Sequence, residues 1–447
     1  QTIYTWRGAN VRYLLDFDRN FAGTKTIMMM ENYRSTPQIL AAANSLIDKN
    51  RERMKKELIP TLPDGEKTVC HFADTAEKEA QWIAQQAKAL NESGIRYRDI
   101  TVLYRAHYVT RTVEEAFLKE KIPYTIYSGV QFFGRMEIKD ALCYLRMIAY
   151  KDDLSFMRIA NVPRRNLGER RMAFLQEYAL QNQCSLYEAM CRNIESYAGY
   201  EQRPISEVLS QVLDESGYEK ALRTEGAQER LDNLAELKQS IYEYETTCGE
   251  ESTLESYLAH VALFTNSDAQ EASDQVKLMT VHTAKGLEFP YVFLCGMNEG
   301  IFPSKKTGTL QAMEEERRLA FVAVTRAQKK LFLSEAGGRN FDGSPRFPSR
   351  FLLDIDPDLL EFTQPPREGL IAETKDYIRL TARFYVNAGE QKLFSAGQRV
   401  KHKIFGEGVV QEADQERGAY SILFDGMDTP RSISFHVPLE ALQGSNL

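Results

Sequence analysis

No apolar run in this 447-residue sequence approaches the roughly 18 residues that a membrane-crossing helix needs, and no charged-then-apolar leader stands at its front. The chain opens on Gln1 rather than Met, so Gln1 is expected to be a boundary within a longer chain. The six cysteines (Cys70, Cys143, Cys184, Cys191, Cys248, Cys295) lie far apart with no C-x-x-C pair. That argues against a disulfide framework or a zinc site and for the reduced thiols of a cytoplasmic protein. The six histidines are equally scattered, so no metal centre is expected. Positive charge is not in excess either: the net charge of −7 does not advertise nucleic acid, although a net value averages over faces and a local basic groove is compatible with it. No internal repeat or low-complexity tract is visible. No G-x-x-x-x-G-K-[ST] phosphate loop occurs, since Gly23-Thr-Lys-Thr26 lacks both the first glycine and the order.

What is present is an ordinary globular composition, 43% hydrophobic and 27% charged, in a chain too long for one hydrophobic core. After a helical pattern through Val11, Leu14, Leu15 and Phe17, the run Thr26 to Met30 reads as a short buried strand. Ser35-Thr36-Pro37 opens a helix continuing from Ile39 to Ile47, with proline where a first turn tolerates it. Val69–Phe72 (strand), Ala76–Asn91 (helix) and Ile100–Tyr104 (strand) continue an α/β rhythm that predicts a parallel sheet covered by helices. From about Ile138 to Ala272 the pattern is helical, as at Arg171–Gln181, Ile205–Leu213 and Leu231–Thr246. Strands return at Val276–Val281, Tyr291–Cys295 and Lys330–Ser334, with a helix at Glu314–Thr325 between the last two. One α/β domain interrupted by a helical domain is the simplest account. Pro365–Glu390 reads as a linker, and the Gly-punctuated strands beyond it as a small β-barrel.

Four constellations carry candidate chemistry. In Gln1-Thr-Ile-Tyr4-Thr-Trp6-Arg7-Gly8-Ala9, aromatic rings beside an arginine suit stacking on unpaired bases, against the alternative of a core tryptophan with Arg7 in a salt bridge. In Glu31-Asn32-Tyr33-Arg34-Ser35-Thr36, Arg34 sits at a sheet edge where a phosphate could meet it; the alternative is a helix cap made by Ser35 or Thr36. Thr280-Val-His282-Thr-Ala-Lys285-Gly286-Leu-Glu288-Phe289 puts three polar groups and a permissive glycine in one loop. In Glu314-Glu-Glu-Arg317-Arg318 through Thr325-Arg326-Ala327, acids open the helix and cations follow, which the helix dipole explains for Arg317 and Arg318. Arg326 ends the helix after an apolar stretch, poised to project where a phosphoryl-transfer enzyme places an arginine finger. Leu213-Asp-Glu-Ser216 superficially resembles a Mg²⁺-binding acidic motif, but it ends an amphipathic helix and reads as surface.

In order and spacing, Q-T-I-Y-T-W-R-G-A, E-N-Y-R-S-T, V-H-T-A-K-G-L-E-F and E-E-E-R-R-L-A-F-V-A-V-T-R-A resemble motifs III, IV, V and VI of superfamily 1A helicases of the UvrD/PcrA/Rep type. Val102-Leu-Tyr-Arg105 and Phe133-Gly-Arg-Met-Glu-Ile-Lys-Asp140 also resemble stretches of that group, and the resemblance covers nearly the whole chain. It implies an α/β fold: a RecA-like motor domain at 26–137 and 273–364, a helical insertion at 138–272, a remnant of the first motor domain at 1–25, a linker at 365–392 and a Tudor-like barrel at 393–447. Gln1, Arg34, Glu288 and Arg326 are then the residues at ATP. Tyr4, Trp6, Arg7, Arg105, His282 and Phe341 match single-strand contacts. Arg164, Arg165 and Gly168 belong to a turn resembling a duplex-binding glycine turn, with Asn166 within it. The sequence departs from the family at His107, often Asn, and at Ser304, where PcrA-like members have His; the turn lacks its first glycine. The resemblance implies an ATP- and Mg²⁺-dependent 3′-to-5′ helicase acting on single-stranded and duplex DNA, with RNA polymerase or repair proteins open as partners of the barrel. Because the family places its phosphate loop and acidic motif before motif III, this chain alone is expected not to hydrolyse ATP. The competing reading is a DNA- and protein-binding module without motor activity.

Overall fold

The computed structural model describes residues 2–5, 8–165, 167–193, 204–248, 252–265, 274–340, 344–390, 394–402, 406–414, 419–425, 430–434 and 439–441. Of the candidate residues, Gln1, Trp6, Arg7, Asn166 and Phe341 lie outside them. The chain begins with two helical turns, α1 (Arg12–Leu15) and α2 (Phe17–Asn20), then runs β1 (Glu31–Asn32), α3 (Pro37–Ile47), β2 (Ile59–Pro60), β3 (Thr68–Ala73), α4 (Ala76–Glu92), β4 (Ile100–Tyr104), α5 (Thr110–Lys119) and β5 (Tyr124–Ile126). A helical stretch follows: α6 (Met136–Tyr150), α7 (Asp153–Ile159), α8 (Glu169–Asn182), α9 (Leu186–Asn193), α10 (Ile205–Glu215), α11 (Tyr218–Thr224), α12 (Gln228–Cys248) and α13 (Leu254–Thr265). The chain then resumes as β6 (Val276–Thr280), β7 (Phe289–Leu294), α14 (Leu310–Val324), β8 (Ala327–Ala336), α15 (Arg350–Asp354), β9 (Leu360–Phe362) and α16 (Leu370–Glu390). Last come β10 (Arg399–His402), β11 (Gly406–Asp414), β12 (Ala419–Phe424), β13 (Arg431–Ser434) and β14 (Leu439–Ala441).

Seven strands form one parallel sheet in the order β5-β6-β4-β7-β8-β3-β9. Strands covered on both faces read as near-continuous apolar runs, and β4, Ile-Thr-Val-Leu-Tyr, is buried at every position. Alternate residues feed two cores. Leu103, Val292 and Leu294 meet α3 and α14, while Val102, Tyr104 and Phe293 meet α4 and α5. Helix starts are set locally: Thr75 caps α4 by accepting from the Lys78 amide, and Thr309 caps α14 by accepting from the Ala312 amide. The helices α6 to α13 leave the sheet after β5 and return to β6, its direct neighbour, and they enclose their own cores around Leu209, Leu237 and Tyr257 and around Phe156 and Leu175. The last five strands make an antiparallel sheet, β13-β12-β11-β10-β14, over Val400, Val410, Ile422 and Phe424. Gly408 is needed there, because a Cβ would fall 2.7 Å from the Leu423 carbonyl oxygen. The cysteines are all unpaired.

Two expectations fail. Thr26–Met30 forms no strand, and Ile27 and Met29 are 77% and 79% exposed. The parallel sheet ends at β5 and β9, so this apolar run has no strand of that sheet beside it. Its nearest pairing is the two-residue β1–β2 ladder, which the Met30 carbonyl joins by accepting from the Ile59 amide. The expected linker is instead largely the helix α16, rich in good helix formers. Leu370 and Ile371 pack on the first core, and Tyr377 stacks on Phe347 at 4.7 Å.

The sheet also buries two carboxyls without a cation in direct contact. Glu79 accepts from the Gly296 amide and the Ser334 hydroxyl, and Glu335 accepts from the Asn298 side-chain amide. Burial, and then the nearby Glu79 charge, pushes Glu335 up to about 8. The folded protein thus keeps a proton that the unfolded chain releases near pH 4.5, and the associated stability is lost as pH rises from there to about 8. Replacing Glu335 with Gln should flatten this fall and raise the melting temperature at pH 8. Parallel pH–melting curves for the two proteins would contradict it.

Candidate nucleotide cleft and strand-contact surface

Arg34, Glu288 and Arg326 come together where β7 and β8 begin. Phe289 and Ala327, the first residues of those strands, are register partners, and the Phe289 amide donates to the Arg326 carbonyl. The turn carrying Arg34 is held by the Asn32 side-chain oxygen, which accepts from the Arg34 and Ser35 amides. It is pinned to β8 by the Ser35 hydroxyl donating to the Ala327 carbonyl and the Thr36 amide donating to that of Gln328. Neither side chain caps α3: Thr36 occupies the cap position, but its buried hydroxyl has no hydrogen-bond partner. Arg34 pairs with Glu288 at 2.5 Å and also reaches the Thr325 carbonyl, while Glu288 accepts from Gln328.

Arg326 does not project freely. It is 8% exposed, and its guanidinium folds back to donate to the carbonyls of Val322 (2.9 Å) and Leu287 (2.7 Å) and to the Thr325 hydroxyl. Helix α14 leaves its last carbonyls without intrahelical donors, and an adjacent arginine satisfies one of them. Burial, then the neighbouring Arg34, lowers Arg326 to about 10, so it remains charged at neutral pH. Asn32, Arg34, Lys285, Gly286, Thr325 and Arg326 line an open cleft of about 360 Å³. Gly286 turns the chain there at φ +92°, where a side chain is strained. Two guanidinium groups against one carboxylate suit phosphate oxygens. Among the described residues no group of three or more His, Cys, Asp or Glu side chains is placed to hold a metal ion. Asp214 and Glu215, of the stretch resembling an acidic motif, are exposed.

Tyr4, Arg105 and His282 gather at the opposite edge, where β4 and β6 end as register partners at Tyr104 and Thr280. The Tyr4 hydroxyl donates to the His282 carbonyl, the two rings lie 6.1 Å apart, and the Lys285 ammonium sits 4.5 Å from the Tyr4 ring centre. Burial and then Arg105 lower the His282 pKa. Arg105 is engaged by both carboxylate oxygens of Glu316 at 2.8–3.1 Å, and Glu316 also accepts from the Ser304 amide. The sequence reading missed Glu316, taking it for one of three helix-opening acids. Its spacing from Met313 and Ala320 places it on the buried stripe of α14, which was the available signal. His107 is partly buried, its ring edge-on to Tyr104. Because β6 and β7 are parallel, the 281–288 loop crosses the sheet and carries His282 at one edge and Glu288 at the other. Helix α14 does the same with Glu316 and the adjoining Arg326.

The third group separates. Arg164 and Gly168 are exposed, Gly168 at the N-cap of α8 with ordinary negative φ. Arg165 turns inward and donates to the carbonyls of Ile159, Val162 and Ser216 and to the Tyr144 hydroxyl. The loop around it offers more acceptors than donors, and an arginine fork fills them, so Arg165 acts as a brace rather than a free cation. Arg317 and Arg318 are likewise internal, bonded to Asp354 with Asn50 and to the Thr2 carbonyl.

The chain belongs to the UvrD-like helicase C-terminal domain family, whose model matches residues 27–337. The ATP-dependent DNA helicase PcrA of Staphylococcus aureus (strain NCTC 8325 / PS 47) is 35% identical over 477 residues, covering 98% of this chain and 65% of that protein. The PcrA helicase of Staphylococcus epidermidis (strain ATCC 12228 / FDA PCI 1200) is 35% identical over 480 residues, covering 100% and 66%. The chain therefore spans about two thirds of the length of these relatives. A solved C-terminal domain of a possible DNA helicase from Lactobacillus plantarum WCFS1 aligns at 10% identity and a TM-score of 0.31 over 74% of this chain and 99% of its own, too distant to bear on the fold. Among the described residues no helix is long and apolar enough to cross a membrane.

Proposed function

We propose that this chain is the C-terminal part of an ATP-driven 3′-to-5′ DNA helicase. In this reading residues 26–137 and 273–364 form its second RecA-like motor domain, 138–272 a helical insertion, and 1–25 part of the first motor domain. Residues 365–392 connect to a Tudor-like barrel at 393–447 that recruits a protein partner, RNA polymerase or a repair protein. Arg34 and Arg326 reach across a cleft to ATP phosphates completed by the first motor domain, which also brings the Mg²⁺ ligands and, with Gln1, a contact to the γ-phosphate. Tyr4, Trp6, Arg7, Arg105, His282 and Phe341 hold single-stranded DNA, while Arg164 and the turn at Gly168 meet duplex. The single observation that carries the reading is the pairing of edges: a cationic cleft at one end of the sheet and an aromatic–basic cluster at the other, joined by the 281–288 loop and α14. The intact gene product should hydrolyse ATP faster with single-stranded DNA and unwind duplexes bearing a 3′ tail; a 5′-tail preference would reverse the assigned polarity.

The second reading, a DNA- and protein-binding module without motor activity, is favoured by one feature, the absence of a phosphate loop from the 447 residues. Phosphoryl transfer needs a phosphate cradle, a lysine on the phosphates and an acid-held Mg²⁺, and an arginine finger only adds to what those assemble. The isolated 447-residue chain should therefore release no phosphate from ATP, even with saturating single-stranded DNA. It should still bind duplex DNA with an affinity that falls steeply with salt. Steady turnover that disappears on Arg326→Ala would show that the chain holds a complete active site.

A further inference from the structure

Arg135 immediately precedes α6 and is 8% exposed. One arm of its guanidinium donates to the His107 carbonyl at 2.9 Å and to the Thr110 hydroxyl at 3.3 Å, in the turn between β4 and α5. The other arm donates to the Asn233 side-chain oxygen on α12 at 2.7 Å. The third nitrogen donates to the Val130 carbonyl, and the group lies 5.1 Å from the Phe132 ring centre. Asn233 is itself fixed, its amide donating to Glu137 at 2.6 Å. A single rigid fork therefore spans the strand-edge turn and the helical stretch. Two residues before His107, Arg105 grips Glu316 on α14, whose far end leads into Arg326.

We infer that Arg135 is a positioning residue that sets the 105–110 turn for single-stranded DNA and makes that setting depend on where α12 sits. The inference rests on the reading of Arg105 as a strand contact. A lysine keeps the charge but, as a point donor, cannot hold the His107 carbonyl and Asn233 together. Asn233→Ala leaves Arg135 in place and cuts its tie to α12, together with the Asn233–Glu137 contact.

The test is the DNA dependence of ATP turnover by the intact protein, with oligothymidylate as the single strand, for wild type, Arg105→Ala, Arg135→Lys and Asn233→Ala. Misplacing one strand contact is expected to raise the KM for DNA about tenfold in Arg135→Lys, on the scale of one base contact, with kcat at saturating DNA nearly unchanged. Asn233→Ala should move the same way by a smaller factor, and it decides the matter if Arg135→Lys does not fold. A raised KM in Arg105→Ala with unchanged KM in both other variants, whatever their melting temperatures, overturns the inference and leaves the strand site standing. An unchanged KM in Arg105→Ala overturns the strand site and the inference with it.

Discussion

Arg326→Ala in the intact protein should lower DNA-stimulated ATP turnover by about a thousandfold, the scale of an arginine finger. Arg34 and Arg326 face each other closely enough for the first to lower the pKa of the second, and Glu288 offsets only part of that repulsion. A γ-phosphate between them relieves the repulsion most when its charge spreads in the transition state, so the loss should fall mainly on kcat. The substitution also leaves the Val322 and Leu287 carbonyls without this donor, at a cost of about 1–3 kcal/mol for each that stays dry. A lower melting temperature is therefore expected alongside the lost turnover. Arg326→Lys separates the two effects: it keeps a cation at the helix end and should recover much of the melting temperature but little of the rate. Phosphate release within a few fold of wild type from folded Arg326→Ala would remove Arg326 from the chemistry.

Much of the fold could be read from periodicity, because burial on both faces leaves a direct trace in sequence. Ile100–Tyr104 was expected as a strand with the bounds it has, and Ile205–Leu213 and Leu231–Thr246 fall within α10 and α12. Thr26–Met30 misled because an apolar pattern announces that a segment wants a neighbour, and β5 and β9 close the sheet elsewhere. Pro365–Glu390 misled because two prolines at its start masked a run of helix formers. The candidate site was legible as residue types but not as partnerships. Arg105 and Glu316 are 211 positions apart, and the resemblance puts Arg165 in a duplex-binding turn with no sign of its bracing role, because its acceptors include backbone carbonyls, which every residue carries. Nothing local distinguishes an arginine that meets phosphate from one that braces a loop.

Arg111→Met should destabilise the whole chain by about 3–5 kcal/mol, the cost of stripping one partner from a buried ionic cluster. Arg111, on α5, has a side chain only 3% exposed. It donates to Glu236 and Glu243 on α12 at 2.7 Å and to Glu115 on its own helix at 3.2 Å, and it lies 3.7 Å from Glu77 on α4. One cation thus gathers four carboxyl groups at the seam between the helices covering the sheet and the helical stretch. Burial, opposed in part by Arg111 and reinforced by the hydrogen bond and charge of Glu77 and by the charge of Glu236, pushes Glu243 up to about 8, so the Glu77–Glu243 pair keeps a proton at neutral pH. The sign follows: the folded state binds this proton and the unfolded state does not, so the contribution is lost as pH rises from about 4.5 to about 8. Without Arg111 the remaining carboxylates face each other unscreened, and the deficit should widen on the alkaline side. Glu243→Gln removes the titrating group and should restore part of the stability in the Arg111→Met background, most of all at pH 8. Calorimetry suits the test, because the cores around Leu209 and around Leu103 need not unfold together, and loss of the clamp should pull their transitions apart. Superimposable thermograms for Arg111→Met and wild type between pH 6 and pH 8 would mean that the Arg111 cluster does not hold the helical stretch to the sheet.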